Sequence, residues 1–184
     1  MLSRRALLLG LSASLADTTW AFAHDKNFKL DPKYQPQTVQ LWGYLPGTII
    51  VDPENHFLYL QLPWGKARRY GVGVGRAGLE FKGKAIVGRK AEWPSWTPTA
   101  NMIKREPNKY ARFANGVPGG PDNPLGSRAL YLYKDGRDTY YRIHGTTEPS
   151  SIGQSVSNGC IRMLNDHVED LYERVSVGDR VIVL

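Results

Sequence analysis

The 184-residue chain has a single cysteine, Cys160, so no disulfide can form within it. No apolar run is long enough to cross a bilayer; the longest, Ala6 to Leu15, falls well short of about 20 residues. Basic residues are not clustered either. The densest stretch is Lys66-Ala67-Arg68-Arg69, and with no longer basic run the formal charge of +7 does not read as a nucleic-acid site. The histidines, His24, His56, His144 and His167, and Cys160 fall in no HExxH or CxxC spacing. Gly73-Val74-Gly75-Arg76-Ala77-Gly78 has the GxGxxG form, but Leu79-Glu80-Phe81-Lys82-Gly83 behind it is too short and too broken to open the required helix. These absences argue against a disulfide scaffold, a membrane span, a nucleic-acid binder, a metal site and a dinucleotide site, and no cofactor is expected.

The N-terminus is patterned for export. Arg4 and Arg5 precede a short apolar segment, and Ala21-Phe22-Ala23 has the form of a cleavage site, so residues 1–23 read as a signal peptide. The arginine pair leaves the Tat and Sec routes both open. The expected compartment is the periplasm, where a lone thiol is a liability unless it is needed. Residues 24–44 contain prolines without periodicity and read as a linker or extended arm, and residues 45–184 as one domain.

That domain reads as mainly β, with two packed sheets or a partial barrel and one or two short helices. Thr48–Val51 and His56–Leu60 flank a turn at 52–55; Ala129–Tyr133 and Thr139–Ile143 flank another at 134–138. Arg69–Val74 alternates, and Arg180–Leu184 closes the chain as a strand. Val168, Leu171, Tyr172 and Val175 share a helical face, with Asn165 or Asp166 as the expected cap. Between these elements, residues 92–127 form a long irregular segment rich in proline and glycine.

The chemistry concentrates in Tyr141–Met163, YRIHGTTEPSSIGQSVSNGCIRM. Arg142 and His144 share one face of a strand. Gly159 before Cys160 permits the sharp turn that exposes a sulfur. A thiol with a pKa near 8.5 is only a few per cent thiolate at neutral pH, so it needs a base within reach. His144 can supply that base, and the neighbouring Gly145 carbonyl can fix its tautomer. The backbone N–H groups of Gly159 and Cys160 are candidate oxyanion donors.

His144-Gly145, fifteen residues, then Ser157-Asn158-Gly159-Cys160-Ile161-Arg162 resembles the signature of the L,D-transpeptidase (YkuD-like) family. Asn123-Pro124-Leu125-Gly126 and Trp93–Met102 extend the resemblance, which covers roughly residues 45–184. It implies a β-rich fold and a two-step acyl transfer on peptidoglycan stem peptides. Cys160 would be the nucleophile, His144 the base, and Gly145 its orienting partner. Gly159, Ser157, Asn158 and Arg162 would form the oxyanion and substrate site, with Arg162 meeting a stem carboxylate. The acceptor would be another stem, an outer-membrane protein or lipoprotein, or water in the L,D-carboxypeptidase alternative. A non-catalytic wall-binding module is the remaining alternative, and it leaves the lone cysteine unexplained. Asn158 departs from the histidine that many members carry.

Overall fold

A computed structural model describes residues 28–184. The expected signal peptide lies outside the described residues. The strands, in chain order, are β1 (Gln37–Gln40), β2 (Ile49–Asp52), β3 (Phe57–Gln61), β4 (Lys66–Gly71), β5 (Val74–Gly75) and β6 (Gly83–Glu92). Two short helices follow, α1 (Ala100–Arg105) and α2 (Pro107–Tyr110). Then come β7 (Arg128–Lys134), β8 (Arg137–His144), β9 (Ser155–Ser157), β10 (Ile161–Arg162), α3 (Asn165–Arg174) and β11 (Arg180–Val183).

Nine strands form one mixed sheet in the order β1-β4-β3-β2-β11-β6-β7-β8-β10, and β5 pairs with β9 in a small parallel ribbon. The large sheet curls back on itself. Beyond β4, Gly73 exchanges two backbone hydrogen bonds with Arg162 of β10, at 2.9 and 2.7 Å. The far edge is thereby joined to the chain leaving β4, so of the two expected architectures the partial barrel is the one that forms.

The barrel closes on a core of Ile49, Val51, Leu58, Leu60, Tyr70, Val72, Val87, Leu130, Leu132, Ile143 and Met163, with α3 laid against it through Val168, Leu171 and Val175. The central strands contribute alternate residues, the arrangement expected where one face is apolar. A buried leucine contributes about 1.5–3 kcal/mol over an exposed one, so this face specifies the register.

Four local readings need correction. Residues 37–40, inside the segment read as an arm, form β1, an edge strand paired with β4. The β7–β8 turn is tighter than the expected five residues: Lys134 pairs with Arg137, and Asp135 and Gly136 both have positive φ (51° and 75°). That is the type I′ signature of an Asp-Gly hairpin. The longest strand, β6, was not anticipated, because Lys84, Arg89, Lys90 and Glu92 hide its pattern. Its cations are employed: Lys90 donates to the carbonyls of Tyr172 and Val175 at the C-terminal end of α3, both at 2.7 Å, and Arg89 stacks on Tyr131. Lastly, neither Asn165 nor Asp166 caps α3; the cap residue is Leu164, with no side-chain bond.

Candidate active site

β8 and β10 run parallel, with Ile161 opposite Ile143 and Arg162 opposite His144. The two isoleucines point into the core. Cys160, Arg162, Arg142 and His144 therefore share the opposite face, since side chains in a strand alternate with period two. The register puts Cys160 level with Arg142, two residues from His144. Along and across the pair that is about 8 Å between Cα atoms, a separation that two side chains can bridge.

His144 is buried. Its Nδ1 donates to the Gly145 carbonyl at 2.5 Å, which leaves Nε2 as the lone-pair nitrogen. Burial, aided by the charges of Arg162 and Arg142, depresses its pKa to about 3, with the Gly145 and Leu125 carbonyls acting in the other direction. The imidazole is thus neutral near pH 7. Burial also raises the Cys160 thiol above its ordinary value, against the Arg142 amide and the charges of Arg142 and Arg162. The resting pair is therefore thiol and neutral imidazole, not an ion pair.

No hydrogen bond joins Cys160 to His144 here. The thiol instead faces the Tyr140 carbonyl at 3.9 Å. That carbonyl is aimed by a bulge in β8, where Tyr140 takes a left-handed φ of 64°. Two bonds from Arg142 to Asp138, at 2.8 and 3.0 Å, span the bulge. Catalytic hydrogen bonds are commonly loose without substrate, so the separation leaves His144 a candidate base.

The loop before Cys160 is closed by Ser157, whose hydroxyl donates to the Cys160 carbonyl (2.6 Å) and accepts from Gly159 N–H (3.0 Å). Of the expected oxyanion pair, the Gly159 amide is bonded to Ser157 Oγ in the free protein. Gly159 has φ +118°, and a Cβ there would fall 2.4 Å from the Leu79 carbonyl, so only glycine fits. Arg162, expected to meet a stem carboxylate, is already paired with Glu148. Asn158 is bonded to Arg76, Arg105 and Tyr110.

One positioning residue escaped the sequence reading. Asn165 Oδ1 accepts from Ser127 N–H and Thr146 N–H, both at 3.2 Å. It also sits where a Cβ on Gly126 or Gly145 would lie, 2.2 Å from either. Asn165 thus ties the loop after His144 to the loop before β7, and the signal for it, an Asn at a helix start, was read as a cap.

Residues 46–183 match the L,D-transpeptidase catalytic domain of the YkuD family. The chain belongs to that family. The probable L,D-transpeptidase ErfK/SrfK of Escherichia coli K12 is 41% identical over 152 residues, covering 81% of this chain and 47% of its own. This chain therefore spans about half the length of such curated relatives. An L,D-transpeptidase from Mycobacterium smegmatis shares the fold at TM-score 0.52 and 20% identity, over 74% of this chain and 58% of its own. A Brucella melitensis structure, at 57% identity and TM-score 0.58, covers 84% of this chain and 96% of its own. That protein is named a probable carnitine operon oxidoreductase, a name at odds with L,D-transpeptidase membership. The domain match and the curated relatives carry the L,D-transpeptidase assignment here. In this L,D-transpeptidase-family chain the GxGxxG stretch forms β5 and a turn from Arg76 to Leu79, and no helix follows it directly. Among the described residues, no three His, Cys, Asp or Glu side chains group as a metal site, and no helix is long and apolar enough to cross a membrane.

Proposed function

We propose that the chain is a periplasmic peptidoglycan L,D-transpeptidase with Cys160 as nucleophile and His144 as base. The observation that carries this reading is the shared face of β8 and β10, which presents a thiol and a neutral imidazole whose Nδ1 is held by the Gly145 carbonyl.

In the first step Cys160 Sγ leaves the Tyr140 carbonyl, gives its proton to His144 Nε2 and bonds to the carbonyl carbon of the third, diamino-acid residue of a tetrapeptide stem. The oxyanion is met by the Cys160 N–H, since Ser157 holds that of Gly159. The bond to the terminal D-alanine breaks, and His144 returns the proton to the departing amine. A thioester remains. In the second step an amine gives its proton to His144 and attacks the thioester. The carbon–sulfur bond breaks, and the proton returns to sulfur. Gly145 holds the imidazole in one tautomer throughout. Burial favours the neutral thiol, so the sulfur needs a base to take its proton.

The test is mass spectrometry of tetrapeptide muropeptides incubated with the protein and with Cys160→Ala. D-alanine release together with a dimer, both absent in the variant, is the expected result. Tripeptide alone would make water the acceptor and the protein an L,D-carboxypeptidase. Stems left intact by the wild type would contradict the catalytic reading and favour a wall-binding module.

A further inference from the structure

Four arginines surround the Cys160 loop, and three have a carboxylate: Arg142 with Asp138, Arg162 with Glu148, and Arg76 with Glu106. The fourth, Arg105 at the end of α1, has no carboxylate partner among the described residues. It donates instead to Asn158 Oδ1 at 3.0 Å, an oxygen that Arg76 also reaches at 2.8 Å. Asn158 is held in that sense because its Nδ2 donates to the hydroxyl of buried Tyr110 at 2.8 Å, so the amide oxygen must face the arginines.

Two guanidinium groups converging on one neutral oxygen is an incomplete arrangement. Glu106 answers the charge of Arg76 but not that of Arg105, to which the amide oxygen offers only a partial charge, so a second carboxylate would bind there more strongly. Both side chains are open to solvent, and Asn158, on which they converge, lies two residues before the nucleophile in sequence. The stems assigned above carry free carboxylates.

We propose that Arg76 and Arg105 form a subsite for one carboxylate of the stem peptide, and that Asn158 Oδ1 occupies that carboxylate's place in the free protein. The proposal rests on the transpeptidase reading. It makes Arg105 a specificity-determining residue and assigns Asn158 to holding the two cations together until substrate arrives. Arg105 lies in the irregular segment and Asn158 in the catalytic loop, so the subsite joins two separate stretches of the chain.

The experiment measures D-alanine release, as KM and kcat, from a stem with all carboxylates free and from stems amidated at each in turn. Wild type, Arg105→Ala and Arg105→Lys are compared, with thermal unfolding of each. On the free stem Arg105→Ala raises KM about tenfold with kcat little changed, and Arg105→Lys recovers part of the loss. On the stem lacking the recognised carboxylate, wild type shows the same rise and Arg105→Ala adds nothing. Equal loss on every stem, or no change in KM, overturns the subsite. A wild type that turns over stems but is indifferent to amidation overturns it while leaving the catalytic reading intact; a wild type that releases D-alanine from no stem overturns both.

Discussion

The two halves of the sheet are built by different rules. From β1 to β2 the strands pair antiparallel in unbroken register, and the inward residues Leu58, Leu60, Tyr70, Ile49 and Val51 are all buried. From β6 to β10 the register slips twice, at Val87–Arg89 and Tyr131–Tyr133, a non-glycine residue within a strand, Tyr140, takes a left-handed φ, and the last pair is parallel. The regular half holds the domain together. The irregular half turns carbonyls, amides and cations toward Cys160, which a straight ladder would have paired with its neighbours. Stability and chemistry should therefore separate on substitution.

The largest expected effect lies in the irregular half. His144→Ala should lower kcat by about 10²–10⁴ while the far-UV spectrum stays that of a folded β protein. Retained turnover would remove His144 from the mechanism. In the regular half, Leu58→Ala should cost about 2–5 kcal/mol by urea unfolding and leave kcat unchanged below the transition. If kcat fell with it, the two halves would not be separable. Asn165→Ala should blur the line from the other direction: it strands two amides, costing about 1–3 kcal/mol, and loosens the His144 loop, lowering kcat roughly tenfold. Unfolding and rate measured on the same sample decide it.

Smaller effects come from protonation and from the bulge. The native pKa of His144 lies below its unfolded value, so the unfolded chain binds the extra proton. Its contribution is present above about 6.5 and is lost as pH falls toward about 3. Stability measured against pH should therefore decline less steeply on the acid side in His144→Gln than in wild type. By the same reasoning kcat/KM should be flat between about pH 5 and 8; an acid limb near 6.5 would mean a solvated imidazole. Asp138→Ala, which frees Arg142 and the bulge, should lower kcat only a few-fold, with KM little moved.

The regular half, apart from the half-exposed edge strand β1, was legible in the sequence because burial on one face imprints a period of two. The β2–β3 hairpin and the apolar stripe of α3 follow from Ile49–Val51, Leu58, Leu60, Val168 and Leu171, all of them buried. The catalytic loop was legible for another reason: a lone cysteine after glycine, behind a His-Gly pair, is a chemical pattern rather than a packing one. What stayed hidden was held by polar contacts across long separations. β6 carries its cations for stacking and for the end of α3. Asn165 works on loops 19 and 38 residues away, and Arg105 meets Asn158 across 53. No local period records such partners.

The most direct test of the central claim is to trap the acyl-enzyme. Protein mixed with tetrapeptide stem, quenched in acid and digested, should show the tripeptide acyl group as a thioester on the peptide containing Cys160. Cys160→Ala should show neither the adduct nor D-alanine release. D-alanine release that persists in Cys160→Ala, with no adduct in the wild type, would contradict the account.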